Sequence, residues 1–333
     1  MAEREMSIKD PNGRGKAYQC RPYLLRMTQL MNTTSPHFYP NHTPAKIMTT
    51  TNEIITSEND TFFREYTSQD AILKYSKATA GFGISYLLDH DYKAVYLDAL
   101  RHLSASAGPD GICMLEFGCG AGMNLLHLIS VLRGHGFKIE TAIGTDFSPV
   151  LIQAANNETE SYLNPVDRDS VRFYVAKNET LVEELSGAMG QDPSNLESSF
   201  HFIIGVNTIR YCHRAGKQLD CARDIFRLLK PGGICANIDM NNRFPAFRSA
   251  LKNKFRDNKQ PEEECYLPSL KEYTEPFQQA GFEILRSKQF CWIPHSAGRS
   301  MTAVLRPLSP VLSLLAGSRA MRSLVVAKKP GRS

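Results

Sequence analysis

One stretch constrains the fold more than any other: Ile112-Cys113-Met114-Leu115-Glu116-Phe117-Gly118-Cys119-Gly120-Ala121-Gly122-Met123-Asn124-Leu125-Leu126. A short apolar run closes on an acid, three alternating glycines follow, and then a helical apolar pattern begins. That order reads as strand, tight turn, helix. Glycine lacks Cβ, so the backbone can turn sharply there and come close to a ligand. The helix start adds unpaired N–H groups and a positive dipole end. The next strand, Thr141 to Thr145, closes on Asp146, ahead of Phe147 and Ser148. A carboxylate at such a strand end can accept from both hydroxyls of a ribose.

Gly118, Gly120 and Gly122 are spaced G-x-G-x-G, whereas a dinucleotide fingerprint is spaced G-x-G-x-x-G. Together the two stretches resemble the class I S-adenosylmethionine (AdoMet) dependent methyltransferases. Glu116 to Gly122 stands where that family has Glu-x-Gly-x-Gly-x-Gly, and Gly144 to Ser148 contains its Gly-x-Asp-x-Ser strand end. Leu229-Lys230-Pro231-Gly232-Gly233 matches a further, structural signature of the family. The resemblance covers roughly 111–333. It implies AdoMet as cofactor, bound by Glu116, Gly118, Cys119, Gly120, Gly122, Asn124, Asp146, Phe147 and Ser148. Asn178 is the candidate for the adenine amino group, or else a helix cap. Asn207 stands where cofactor and substrate meet. A metal is not implied.

Strand patterns occur at 112–117, 140–145, 171–176, 201–206, 234–239, 282–290 and 323–329. Helical patterns fall near 122–134, 149–157, 179–187, 216–229 and 268–280. The alternation implies an α/β fold with a mostly parallel sheet and helices on both faces. The resemblance makes this a Rossmann-like, seven-stranded sheet whose last strand enters antiparallel between strands five and six. Residues 61–110 read as an N-terminal helical cap, with helices at 69–80 and 84–103 separated by Gly81 and Gly83. Residues 1–60 read as a tail. It has no Asp or Glu from 11 to 52, which fits either a disordered segment or an organelle-targeting peptide.

The 333 residues, 42% hydrophobic and 22% charged, suit a soluble globular protein. A net charge of +5 does not by itself argue for nucleic acid, and no nucleic-acid module is recognisable. Eight scattered cysteines include no C-x-x-C pair, and free thiols fit a reducing compartment, so a cytoplasmic location is expected. No apolar run is expected to span a bilayer. The start of the chain lacks the apolar core of a signal peptide.

Substrate-side candidates follow from the strand exits and from the cap. Tyr66 and Tyr75 are lid candidates or packing residues. Arg210, Asn242, Arg243, Phe244 and Trp292 sit at the exits of strands four to six, and the arginines suit an acidic group. His213 and His295 are candidate general bases or packing residues. The segment 291–322 should lie over the ligand edge. No acid occurs from Ile284 onward, so a basic, apolar lid suits an acidic or amphipathic substrate, or peripheral contact with a membrane. The alternative is a solvated basic face, and Pro307 and Pro310 argue against one long helix. The expected function is methyl transfer to a small molecule, with oxygen favoured over nitrogen or carbon as acceptor. The rivals are transfer to RNA, protein or lipid, and AdoMet binding without catalysis.

Overall fold

The computed structural model describes residues 66, 81–103, 111–247 and 267–331. The tail expected at 1–60, the helix expected at 69–80, and Tyr75 lie outside the described residues.

Helix α1 (Phe82–Tyr86) passes through a π-helical segment (Leu87–Tyr92) into α2 (Lys93–Leu100). Gly83 does not break the helix as expected. It lies inside α1, where an added Cβ would stand 2.4 Å from the Pro294 carbonyl oxygen and 2.6 Å from that of His295. The glycine is there for close packing.

The strands are β1 (Ile112–Phe117), β2 (Ile139–Asp146), β3 (Val171–Val175), β4 (Phe200–Val206), β5 (Leu229–Met240), β6 (Glu283–Phe290) and β7 (Arg322–Lys328). They form one seven-stranded sheet in the order β3-β2-β1-β4-β5-β7-β6. β7 pairs antiparallel with both β5 and β6, and the remaining pairs are parallel. The helices that follow are α3 (Met123–Gly134), α4 (Pro149–Tyr162), α5 (Pro165–Arg168), α6 (Leu181–Met189), α7 (Ile209–Arg214), α8 (Gln218–Leu228), α9 (Leu270–Gln279) and α10 (Arg299–Ala316).

Successive strand residues go to opposite faces, as the pleat requires. Met114, Phe202, Ile204 and Val326 join one core with Tyr96 of α2 and Leu125 and Ile129 of α3. Leu115, Ile203, Cys235 and Val325 join a second core with Leu185 of α6, Ile225 of α8 and Phe277 of α9. The described part of the cap is therefore built into the first core. His201 lies at the start of β4, away from the carboxyl ends of the parallel strands. Its Nδ1 accepts from the Cys113 N–H at 3.0 Å.

Two expectations about the 291–322 segment are corrected. Pro307 and Pro310 both lie inside the 18-residue α10. Each removes one helical donor, leaving the carbonyls of Ala303 and Arg306 unbonded at i−4. Both residues are exposed, so water can satisfy them. Arg299–Arg319 is also long and apolar enough, by length and composition, to cross a membrane. The charges at 299, 306 and 319 mask this run in the linear sequence.

Candidate active site

The three loop glycines all adopt left-handed φ angles, +62° at Gly118, +55° at Gly120 and +77° at Gly122. Only the outer two are packed. A Cβ on Gly118 would stand 2.0 Å from Thr208 Oγ1, and one on Gly122 would meet the Phe173 ring at 2.8 Å. A Cβ on Gly120 would meet nothing within 4 Å. Beside this open space sits Asp146. Its Oδ2 accepts from the Gly120 N–H at 2.9 Å, and its Oδ1 accepts from the Ser148 N–H at 2.9 Å. Burial raises the Asp146 pKa, while these two donors favour the charged form and oppose that rise. The turn is fixed from below as well, by Cys119 N–H donating to the Thr145 carbonyl at 2.7 Å.

Glu116 is buried beneath the loop, and burial pushes its carboxyl up to about 8. Oε1 accepts from Asn124 Nδ2 at 2.8 Å, and Asn124 Oδ1 accepts from the Tyr96 hydroxyl at 2.9 Å. Oε2 has no donor. Asn124 thus ties the loop acid to the cap helix. Ser148 is fully buried and caps α4, accepting from Leu151 N–H at 3.3 Å and donating to the Tyr66 carbonyl at 2.6 Å. The Tyr66 ring lies 5.9 Å from that of Phe147 and 6.0 Å from that of Tyr211, and its hydroxyl is 2.7 Å from the Tyr211 hydroxyl. Tyr66 therefore bridges the exits of β2 and β4, across the mouth of the cleft.

Asn178 does not cap the next helix. It opens a 3-10 turn, Asn178–Thr180, and its Nδ2 donates to Thr208 Oγ1 at 2.7 Å. Its Oδ1 is buried without a donor. Asn207 holds φ at +57°, a conformation asparagine tolerates. Its Oδ1 accepts from Arg322 Nη1 at 2.6 Å.

The remaining candidates scatter. Arg210 is engaged: Nη1 donates to the fully buried Asp239 at 3.3 Å, and Nη2 to the Tyr211 hydroxyl at 2.6 Å. His213 packs edge-on to Tyr273, its Nε2 buried without a partner, and burial lowers its pKa. His295 is exposed on the loop after β6. Partial cover of its ring by the protein lowers its pKa, and the charge of Arg322 adds to this. Trp292 Nε1 donates to Ser313 Oγ at 2.9 Å and so braces α10. Phe244 packs with Leu87, Cys291 and Met321, and lies 4.9 Å from Phe247 centroid to centroid. Asn242 is half-buried, and exposed Arg243 lines a cavity of about 480 Å³ with Pro245, Ser318 and Arg319.

Sequence reasoning counted Arg322 only among the basic residues of the 291–322 lid. It is 4% exposed at the start of β7, and its Nε has no partner. No carboxylate pairs with it among the described residues. The signal was an arginine beginning a strand that otherwise buries both faces, Arg322 to Lys328.

AdoMet presents donors at its adenine amino group, ribose hydroxyls and ammonium. Beside the open space over Gly120 lies the Asp146 carboxylate, and Asn178 Oδ1 and Glu116 Oε2 are buried acceptors that no protein donor satisfies. The residues fit the group.

A Rossmann-like sheet with a glycine cradle and an acid at the second strand end defines a class of AdoMet-binding domains. The chain matches the family described as Methyltransferase domain over residues 88–287. It belongs to that family, and is a class I AdoMet-dependent methyltransferase. No curated protein matches it. Among solved structures it is similar to a SAM-dependent methyltransferase from Aquifex aeolicus, at 15% identity and TM-score 0.44, covering 74% of this chain and 93% of that one. It is also similar to an S-adenosylmethionine-dependent methyltransferase from Mesorhizobium loti, at 16% identity and TM-score 0.45, covering 72% and 99%. A complex of the Haloferax volcanii Trm112 methyltransferase activator with a putative methyltransferase gives 16% identity and TM-score 0.46, covering 78% and 96%.

Proposed function

We propose that the protein methylates a small acceptor bearing an anionic group, with an oxygen as the first-choice methyl-accepting atom. The observation that carries this reading is Arg322, a buried guanidinium with an unpartnered Nε and no carboxylate partner among the described residues. A buried charge without a counter-ion is costly, and an acceptor's carboxylate or phosphate would supply one. Bound AdoMet supplies a methyl group made electrophilic by its sulfonium, so the protein's task is mainly orientation. Such orientation contributes up to roughly 7–11 kcal/mol of barrier lowering.

In this reading Asp146, Gly120 and Asn178 hold the cofactor, Tyr66 excludes water over the cleft, and Asn207 keeps Arg322 aimed at the acceptor. Of the two histidines, His295 is the better base. It is exposed and has a lowered pKa, so it is neutral and ready to take a proton, whereas the His213 Nε2 is sealed. A base of this kind contributes about 10²–10⁴-fold. The free thiols at the six described cysteines suit action in the cytoplasm.

The test is transfer of labelled methyl from AdoMet into fractions of a metabolite extract. The label should enter a small molecule retained on an anion exchanger. With that acceptor, Arg322→Lys should raise KM about tenfold, the loss of one charge-assisted bidentate contact, with a smaller change in kcat. Label in RNA or protein would favour the macromolecular reading, and label in a neutral or cationic metabolite would remove the role given to Arg322.

A further inference from the structure

The loop from β6 to β7 carries a surface that the methyltransferase reading does not use. Along α10, Thr302, Leu305, Ser309, Leu312 and Ala316 are buried or half-buried and form the face turned to the protein. Beside that face runs a second stripe, Met301, Val304, Leu308, Val311 and Leu315, spaced three and four residues apart. All five are exposed, Leu315 by 77%, and Leu314 beside them by 85%. The stripe is about 21 Å long at 1.5 Å per residue. An apolar stripe of this kind marks an interaction surface. Its surroundings are basic: Arg299, Arg306 and Arg319 lie on or just beyond the helix, and Arg243 and Arg319 border the cavity at its carboxyl end.

We propose that α10 docks this domain on an anionic membrane surface, with the apolar stripe in the interfacial layer and the Arg243–Arg319 cavity receiving a lipid phosphate. The helix lies along the membrane and does not cross it. Met321 N–H donates to the Cys291 carbonyl at 2.8 Å, so the excursion leaves and returns at one corner of the sheet. Ile293 and Ala297 before the helix are buried, and Ser313 within it is bonded to Trp292. The carbonyls freed by Pro307 and Pro310 also need water, which the hydrocarbon core does not supply. Charge decides between a bilayer and a second copy of the chain. A two-fold dimer through this stripe would bring like-charged arginine clusters together, with no acid from Ile284 onward to offset them. An anionic headgroup layer complements them.

The test is co-flotation of the full chain with vesicles of pure phosphatidylcholine, and with vesicles containing one-third phosphatidylglycerol. The protein should float with the anionic vesicles and be released by salt. Leu308→Glu and Leu315→Glu should each weaken partitioning at least about tenfold, from the lost burial of one leucine. Arg243→Glu and Arg319→Glu should each weaken it about fivefold, and only on anionic vesicles. All four positions are exposed, so melting temperatures should hold, and AdoMet affinity should be unchanged in the two leucine variants. Failure of the wild-type chain to float would overturn the proposal, as would equal flotation of the leucine variants. Light scattering that shows a dimer made monomeric by Leu308→Glu would give the stripe to a second copy instead. Neither result bears on methyl transfer, which is read separately with labelled AdoMet.

Discussion

Gly118, Gly120 and Gly122 share a left-handed backbone but differ in what a side chain would meet. Gly122→Ala forces a methyl group against the Phe173 ring and Ala155 and puts alanine at a left-handed φ, so overpacking of about 1–3 kcal/mol, with backbone strain in addition, should appear in denaturant unfolding. At Gly120 the added atoms enter open space, so a residue that tolerates the left-handed backbone, such as asparagine, should act on the ligand more than on the fold. Ser148 shows how a side chain can serve two neighbours. Ser148→Ala removes the α4 cap and the bond to the Tyr66 carbonyl, and should cost about 1 kcal/mol, the usual loss for such a cap. A thermal melt that leaves Ser148→Ala unchanged would argue against this double role. The left-handed turn at the glycines and the strand end at Asp146 were legible in the sequence because both follow from backbone geometry, whereas Ser148, expected at the cofactor, is the buried cap of α4. The role of Arg322 was not legible, because its partner Asn207 is 115 residues away and nothing local marks the pair.

At the scale of elements, all seven strands were legible: β1, β4, β5 and β7 as runs buried on both faces, and the half-exposed β3 and β6 from their place in the strand–helix alternation. Strand ends moved by a few residues. β5 begins at Leu229, before the Lys-Pro-Gly-Gly signature, because Leu229 pairs with Phe200 ahead of a register shift. α7 was not legible, because its six residues are too short for a periodic signal. α10 was misread through its prolines, whose cost falls on carbonyls that face water. α9 carries a capping box, Ser269 with Glu272, and its second core face holds the helix despite Pro276. Ser269→Ala should lower stability by about 1 kcal/mol while leaving AdoMet affinity unchanged, since the cap lies away from the glycine loop. Weakened AdoMet binding in that variant would mean that α9 and the cleft are coupled.

For the whole molecule, the buried Glu116 ties stability to pH. Its folded-state pKa of about 8 lies above the model-peptide range, so the folded protein holds this proton more tightly than the unfolded chain. The resulting stabilisation is fully present below about pH 4.5 and is lost as pH rises to about 8. Glu116→Gln should flatten the fall in melting temperature across the upper part of that window. An unchanged slope would assign the fall to other groups.

The central claim is that the space over Gly120, beside Asp146, receives AdoMet. Titration calorimetry of AdoMet into the wild-type chain and into Gly120→Asn tests it most directly. Asparagine tolerates the left-handed backbone, so the variant should keep its fold while its side chain fills the space. The account predicts one AdoMet per wild-type chain, no binding of NAD, and affinity at least about tenfold weaker in the variant, the loss expected when a cradle's contacts are blocked. Equal affinity in the two proteins, or none in the wild type, would contradict it.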